Sequence, residues 1–282
     1  MNCPFHKNQR ELEEGIHTDF KDDMSYGDYL CLDQVLSAQN PLSDQHDEML
    51  FIVIHQSSEL WLKLAGHELT EAITNLRSGD FGHAFKVISR VKHIFNQLTQ
   101  SWHILSTLTP VDYLKFRDAL GHSSGFQSHG YRKLEFLLGN KNKDLLKVHE
   151  ANEAVHKELS AVCEAPSLYD EILRLMANNG FEIDKHCLQR DFTQPYVKNE
   201  SVLTAWLQIY QGADKHFELY ELAEKLMDIE DAFQNWRFKH MYTVQRVIGN
   251  KMGTGGSSGV EFLKKALDIS FFPELLDIRT RL

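Results

Sequence analysis

The sequence predicts an all-α protein. Apolar residues recur at three- and four-residue steps through most of the chain, the spacing of one helical face. Alternating β-branched runs are scarce, and 282 residues contain only six prolines, so little interrupts long helices. The expected architecture is a helical bundle with long antiparallel helices and a short helical elaboration in its second half.

Taken in order, residues 1–22 read as a polar N-terminal arm, loosely ordered or docked on a partner chain. Tyr26–Leu36 reads as a first short helix with Tyr26, Tyr29 and Leu30 on one side, and Asn40-Pro41 breaks it. Asp44 or Asp47 opens a long helix through about Arg77, closed by Ser78-Gly79, and a second runs from about Phe81 to Ser106. The short turn between them predicts an antiparallel pair. Thr109, Pro110 and Asp112 fit the N-cap, N1 and N3 positions of a helix ending at Gly121. The segment HSSGFQS then leads to a helix over Tyr131–Leu138, and Gly139–Lys143 reads as a polar turn. Residues 144–200 carry short amphipathic helices, read as an elaboration on the bundle, so 1–282 is expected to be a single domain. A third long helix is expected from about Ser201 or Lys215 to Ile248, with Gly249 beyond its end.

Composition narrows the function. A net charge of −10 argues against a nucleic-acid partner, which would want a basic face. The densest apolar run, Met49–Ile54, is far too short for a membrane span, and the first residues lack the apolar core of a secretory signal. Cys3, Cys31, Cys163 and Cys187 are widely spaced, which gives no zinc or covalent-haem motif and fits a reducing, cytoplasmic setting.

The stretch NWRFKHMYTVQRVIGNKMGTGGSSG, Asn235–Gly259, is the most informative. Ile229, Phe233, Trp236, Val244 and Val247 form an apolar stripe with His240 in its middle. A buried imidazole needs partners, so either a hydrogen bond or a metal satisfies His240. Lys251–Gly259 has the composition of a lid able to supply backbone N–H groups. His55 is a second imidazole in an apolar helix, sharing a face with Phe51, Ser58 and Leu62. With Glu59 it could form a metal pair, or it could be a core histidine. Tyr113 and Arg117, one turn apart, could grip a small carboxylate, unless Arg117 merely makes a surface ion pair with Asp118 or a nearby acid.

Two stretches, Gly121–Gly125 and Gly255–Gly259, match GxSxG, but neither follows the strand a nucleophile elbow needs. A di-iron bundle needs two good ExxH helices, and Glu14–His17 is a poor partner for Glu153–His156. What remains is two histidines on two apolar helices, with no cysteine or carboxylate set around either. A metal held by one imidazole and a flat macrocycle needs only one, and Arg237, Lys239 and Arg246 would suit haem propionates.

The blocks HDEMLFIVIHQSSELWLKL, LTPVDYLKFRDALGHSSGFQS, YRKLEFLLGNKN, WRFKHMYTVQRVIGNKMGTGGSSG and FFPELLDIRTRL together resemble bacterial tryptophan 2,3-dioxygenase. The resemblance spans nearly the whole chain and is weakest over 144–200. It implies a helical homotetramer with a haem pocket and one haem b per subunit. The implied reaction inserts both atoms of O2 across the indole C2–C3 bond of L-tryptophan, giving N-formyl-L-kynurenine, the first step of the kynurenine pathway. It also implies His240 as axial haem ligand, His55 as the distal residue meeting the indole N–H, and Phe51 as a wall for the indole. Arg117 would clamp the substrate carboxylate with Tyr113 nearby, and Thr254 would hold the ammonium end. Tyr26, Tyr29 and Leu30 would reach a neighbouring subunit's pocket. His129-Gly130 after GFQS and the absence of a tail beyond Leu282 depart from the expected pattern. A weakly acidic indole N–H favours positioning by His55 over proton abstraction. The rival readings are a haem-based oxygen or redox sensor without turnover and a helical scaffold without cofactor.

Overall fold

The computed structural model describes residues 10–282, and among them no strand occurs. The described chain divides after Asn40 into two compact units.

The first unit carries two short helices, α1 (Tyr26–Leu30) and α2 (Leu32–Ser37). The single helix expected over Tyr26–Leu36 is broken at Cys31, which adopts the left-handed conformation at φ 51° and lets its N–H close onto α1. A Ser25–Asp28 capping box starts α1, with each side chain accepting the other residue's N–H at 3.1 Å. Neither helix buries a residue, and Tyr26 and Tyr29 are 75% and 74% exposed. The part of the expected arm before residue 10, and Cys3 with it, lies outside the described residues.

The second unit is built on α3 (His46–Ser78) and α4 (Phe81–Leu105). Neither Asp44 nor Asp47 caps α3. The buried Glu48 carboxylate reaches back instead, accepting the N–H groups of Leu42 and Ser43 at 2.8 Å. Gly79 ends the helix at φ 77°, and Asp80 caps α4 through the His83 N–H. After these come α5 (Pro110–Phe116), α6 (His129–Leu138), α7 (Glu153–Glu164), α8 (Leu168–Asn178) and α9 (Lys185–Leu188). The chain continues through α10 (Glu200–Gln211), α11 (Phe217–Ile248), α12 (Val260–Ala266) and α13 (Pro273–Asp277). Ser201 thus belongs to α10, which stops at Gly212, and the third long helix is α11 alone.

Helix α4 packs against both α3 and α11. Its pairing with α3 is antiparallel, clamped by Arg90 on Glu68. Its pairing with α11 is parallel: Lys92 meets Asp228, Phe95 meets Phe233 and Trp102 meets His240 in step along both helices. The N-terminal end of α3 and the C-terminal ends of α4 and α11 therefore lie together. Helix α5 touches both α3 and α11.

The elaboration packs through α8 on α3 and α7 on α6. Lys141 does not lie in a solvated turn. It is fully buried, and its ammonium donates to the carbonyls of Val162, Cys163 and Ala165 at 2.6–3.0 Å. It thereby satisfies the orphan C-terminal carbonyls of α7, where the helix dipole favours a cation. Burial lowers its pKa to about 8. A second buried hub is Glu274, which accepts Tyr169 and Tyr196 hydroxyls and the Asn199 N–H at 2.6–2.9 Å, tying α8, α10 and α13 together.

Candidate active site

Helix α5 begins as its sequence dictates, with Thr109 accepting the Asp112 N–H and Pro110 at N1. Its last turn tightens into a 3-10 segment over Arg117–Leu120 before Gly121. Lying against α3, it sets Tyr113 5.9 Å and Phe116 5.7 Å from the Phe51 ring. Phe51 in turn sits 4.1 Å from the His55 ring, one helical turn away.

The His55 tautomer follows from its contacts. Nδ1 lies 2.7 Å from the Phe51 carbonyl, which can only accept, so Nδ1 carries the hydrogen. Burial lowers the His55 pKa, opposed by that hydrogen bond and by Glu59. The ring is therefore neutral near pH 7, with Nε2 as an acceptor. Burial also raises the Tyr113 pKa, against the pull of Arg117.

His240 projects from α11 into an aromatic box. Trp102 stacks on it at 4.6 Å with 10° between planes, and Trp236 lies at 5.5 Å. Burial, with His55 as a second cause, lowers its pKa to about 4. No hydrogen bond to its ring occurs among the described residues, so the hydrogen-bonded core histidine is not what is found. Nor do three His, Cys, Asp or Glu side chains converge on a metal position among those residues.

The two glycine-serine loops close on each other. Thr254 donates to the Ser123 carbonyl at 2.5 Å, and Arg117 donates to the Met252 carbonyl at 2.6 Å. Gly255 comes so near Ser124 that an added Cβ would lie 2.7 Å from the serine Cβ. Arg117 has no carboxylate partner among the described residues, so the expected alternative of a pair with Asp118 does not form. Its Nε is buried without a partner.

One expectation is corrected by burial. Arg237 is 3% exposed and turned away from solvent, donating to Glu135, the Tyr131 hydroxyl and the carbonyls of Ala266 and Ile269. It is committed to anchoring α6 and α12 on α11, so of the three expected cations Arg246, exposed, and Lys239, half-buried, stay open.

Phe51, His55, Tyr113, Arg117, Thr254 and His240 thus belong to contiguous elements of the second unit, while Tyr26, Tyr29 and Leu30 are exposed residues of the first. The model of the tryptophan 2,3-dioxygenase family matches residues 11–282. The chain belongs to the tryptophan 2,3-dioxygenase family. It is 74% identical over 281 residues to the tryptophan 2,3-dioxygenase of Shewanella woodyi, covering 100% of this chain and 98% of the relative. Identity to the Serratia proteamaculans enzyme is 56% over 277 residues, covering 98% and 99%. The tryptophan 2,3-dioxygenase 1 of Ralstonia nicotianae is 51% identical over 280 residues, covering 99% and 95%. Family membership makes the chain a dioxygenase of tryptophan, and the sensor without turnover is not favoured.

The residues around His240 fit the haem on which this family depends. The Trp102 and Trp236 indole N–H groups and the Thr243 hydroxyl are buried without partners. A neutral, unbonded imidazole between such walls suits a flat, largely apolar ligand whose metal needs one protein nitrogen. Gly130, the unexpected residue, has a packing reason: an added Cβ would lie 3.0 Å from Glu59 and 3.2 Å from the Leu62 side chain. Trp102 and Phe116 were not singled out from sequence. The spacing of Phe95, Leu98 and Trp102 marks an inward face of α4 but not the histidine it meets.

Proposed function

We propose that this chain binds one haem b through His240 and uses O2 to cleave the indole C2–C3 bond of L-tryptophan, placing one oxygen atom on each carbon to give N-formyl-L-kynurenine. The observation that carries the residue assignment is the neutral, unbonded imidazole of His240 boxed by tryptophans beside His55. Haem bound there supplies the iron that activates O2. The protein binds and orients the other reactant. Phe51, backed by Phe116, walls the indole. His55 accepts the indole N–H at Nε2 while Phe51's own carbonyl holds the ring in that tautomer. Arg117 exchanges the Met252 carbonyl for the substrate carboxylate, a stronger, charge-assisted partner, with Tyr113 alongside. The Thr254 hydroxyl oxygen accepts from the ammonium end while still donating to the Ser123 carbonyl. Substrate binding thus replaces one contact of the 251–259 loop and adds another, which couples it to the position of that loop. Purified protein should show a Soret band, and with 18O2 the product should carry two labelled atoms. Product with one labelled atom would refute insertion of both.

His55→Ala should keep haem and retain measurable turnover, with weaker substrate placement, because the ring's role is to accept a hydrogen bond. Complete loss of turnover with tryptophan binding intact would make it an obligatory acid or base instead. The pH dependence has a definite sign. The His55 pKa is lowered, so protonation that destroys the acceptor occurs only below the ordinary 6.5. Tryptophan affinity of the wild type should therefore hold from pH 8 to 7 and weaken only on further acidification. An affinity midpoint at or above 6.5 contradicts the neutral, buried ring.

The assembly reading is a homotetramer in which Tyr26, Tyr29 and Leu30 dock beside a neighbour's pocket. It is supported by two helices that bury nothing within their own chain and by exposed apolar side chains of α3, α4 and α11, Val53, Ile104, Phe238 and Tyr242 among them. Deleting residues 1–36 should impair turnover and assembly together while leaving the remaining helices formed. A fully active monomer, by light scattering and turnover, would refute the shared pocket. No helix of the described residues is long and apolar enough to cross a membrane, and Cys31, Cys163 and Cys187 are free thiols, which supports a cytoplasmic location. We read 1–282 as one functional domain.

A further inference from the structure

Resting on the reading of His240 as the haem ligand, we infer that Trp102 is a positioning residue that sets the ring plane of that ligand by stacking.

A metal-bound histidine usually donates its second ring N–H to a carboxylate, a carbonyl or water, and that bond fixes both tautomer and ring orientation. His240 has no such bond among the described residues. The two indoles that touch it cannot supply one, because an indole nitrogen is a donor only and cannot accept an imidazole N–H. What His240 has is a near-parallel stacking contact: Trp102 at 4.6 Å and 10°. Turning the imidazole about its Cβ–Cγ bond would drive its edge into the indole face, so the stack admits a narrow range of ring orientations.

Trp102 is itself held. It is 6% exposed, lies 6.0 Å from Trp236, and stands on α4, which packs against both α3 and α11. Trp236 is fixed in turn at 5.3 Å from Tyr131, whose hydroxyl accepts from Arg237. The ring plane of His240 is thus referred to the rigid α4–α6–α11 core and not to a side-chain hydrogen bond.

The test compares the full-length holoprotein carrying Trp102→Phe, which preserves a stacking face, with Trp102→Leu, which does not. The readouts are haem transfer to apomyoglobin and the ferric EPR spectrum, neither of which depends on turnover. Trp102→Leu should release haem about 10–100-fold faster, the range for losing a partner that orients a metal ligand. It should also broaden the EPR signal as ring orientations spread. Trp102→Phe should stay within about twofold of the wild type on the same scale. If Trp102→Leu does not accumulate as folded protein, Trp102→Met, close in bulk but unable to hold a plane, is measured in its place. Wild-type release and an unbroadened spectrum in the Leu or Met variant overturn the inference, as does a Phe variant as impaired as Leu. Full haem retention in His240→Ala would instead overturn the ligand assignment beneath it, so the two failures are distinguishable.

Discussion

His240→Ala should yield a helical protein that no longer retains haem. The imidazole makes no hydrogen bond among the described residues, so its removal breaks none, and alanine is the stronger helix former in the interior of α11. What is lost is one ring stacked on Trp102 and, on the proposed reading, the iron's single protein ligand. The haem-to-protein ratio should fall to a small fraction of the wild-type value while far-UV circular dichroism stays nearly unchanged. Added imidazole should restore part of the haem binding, because the space left against Trp102 suits the same ring. An undiminished ratio with an unaltered visible spectrum would sink the axial assignment.

Glu135→Leu should be the most damaging substitution outside the site. One buried carboxylate serves two buried guanidiniums there, Arg132 and Arg237, at 5% and 3% exposure. Removing it leaves two cations without a counter-charge in a medium that solvates neither, at a cost of about 3–5 kcal/mol. Arg237 keeps two carbonyls and the Tyr131 hydroxyl, which satisfy its hydrogen bonds but not its charge. Equilibrium unfolding in urea should show the midpoint falling sharply. By contrast, Lys147→Ala removes an ion pair that lies open to solvent and should not measurably move it. A Glu135→Leu midpoint equal to the wild type would show that this triad contributes nothing to anchoring α6 on α11.

The loop contacts make these effects separable. Arg117 and Thr254 now hold main-chain carbonyls of the facing loops, whereas Glu135 and Arg237 hold the helices behind the tryptophans. Substitutions at the first pair should change substrate affinity with little change in stability, and substitutions at the second pair the reverse.

Periodicity and cap chemistry by themselves determined the helical class, the extents of α3 and α4 to within a residue or two, the end of α11 but not its start, which stayed open between Ser201 and Lys215, and the Thr109–Pro110 start of α5. Those features rest on interactions within four residues of each other, which a sequence writes out directly. The motif blocks also marked His55, His240, Arg117 and the glycine loops as residues worth placing. The tertiary structure decided what each side chain meets. A helical stripe shows that Trp102 and His240 face inward but not that parallel packing of α4 on α11 stacks one on the other. Nothing local distinguishes Arg237, an inward anchor, from Arg246, an open cation, because the difference is made by Glu135, 102 residues away in sequence. Lys141 reads as a turn residue until the end of α7 arrives with three unsatisfied carbonyls. Cys31 breaks the first helix because N- and C-terminal caps compete with a pattern too short to outweigh them. Short-range order follows from the backbone's own hydrogen bonds. The partners of the buried charges and rings follow only from which helices come to lie side by side.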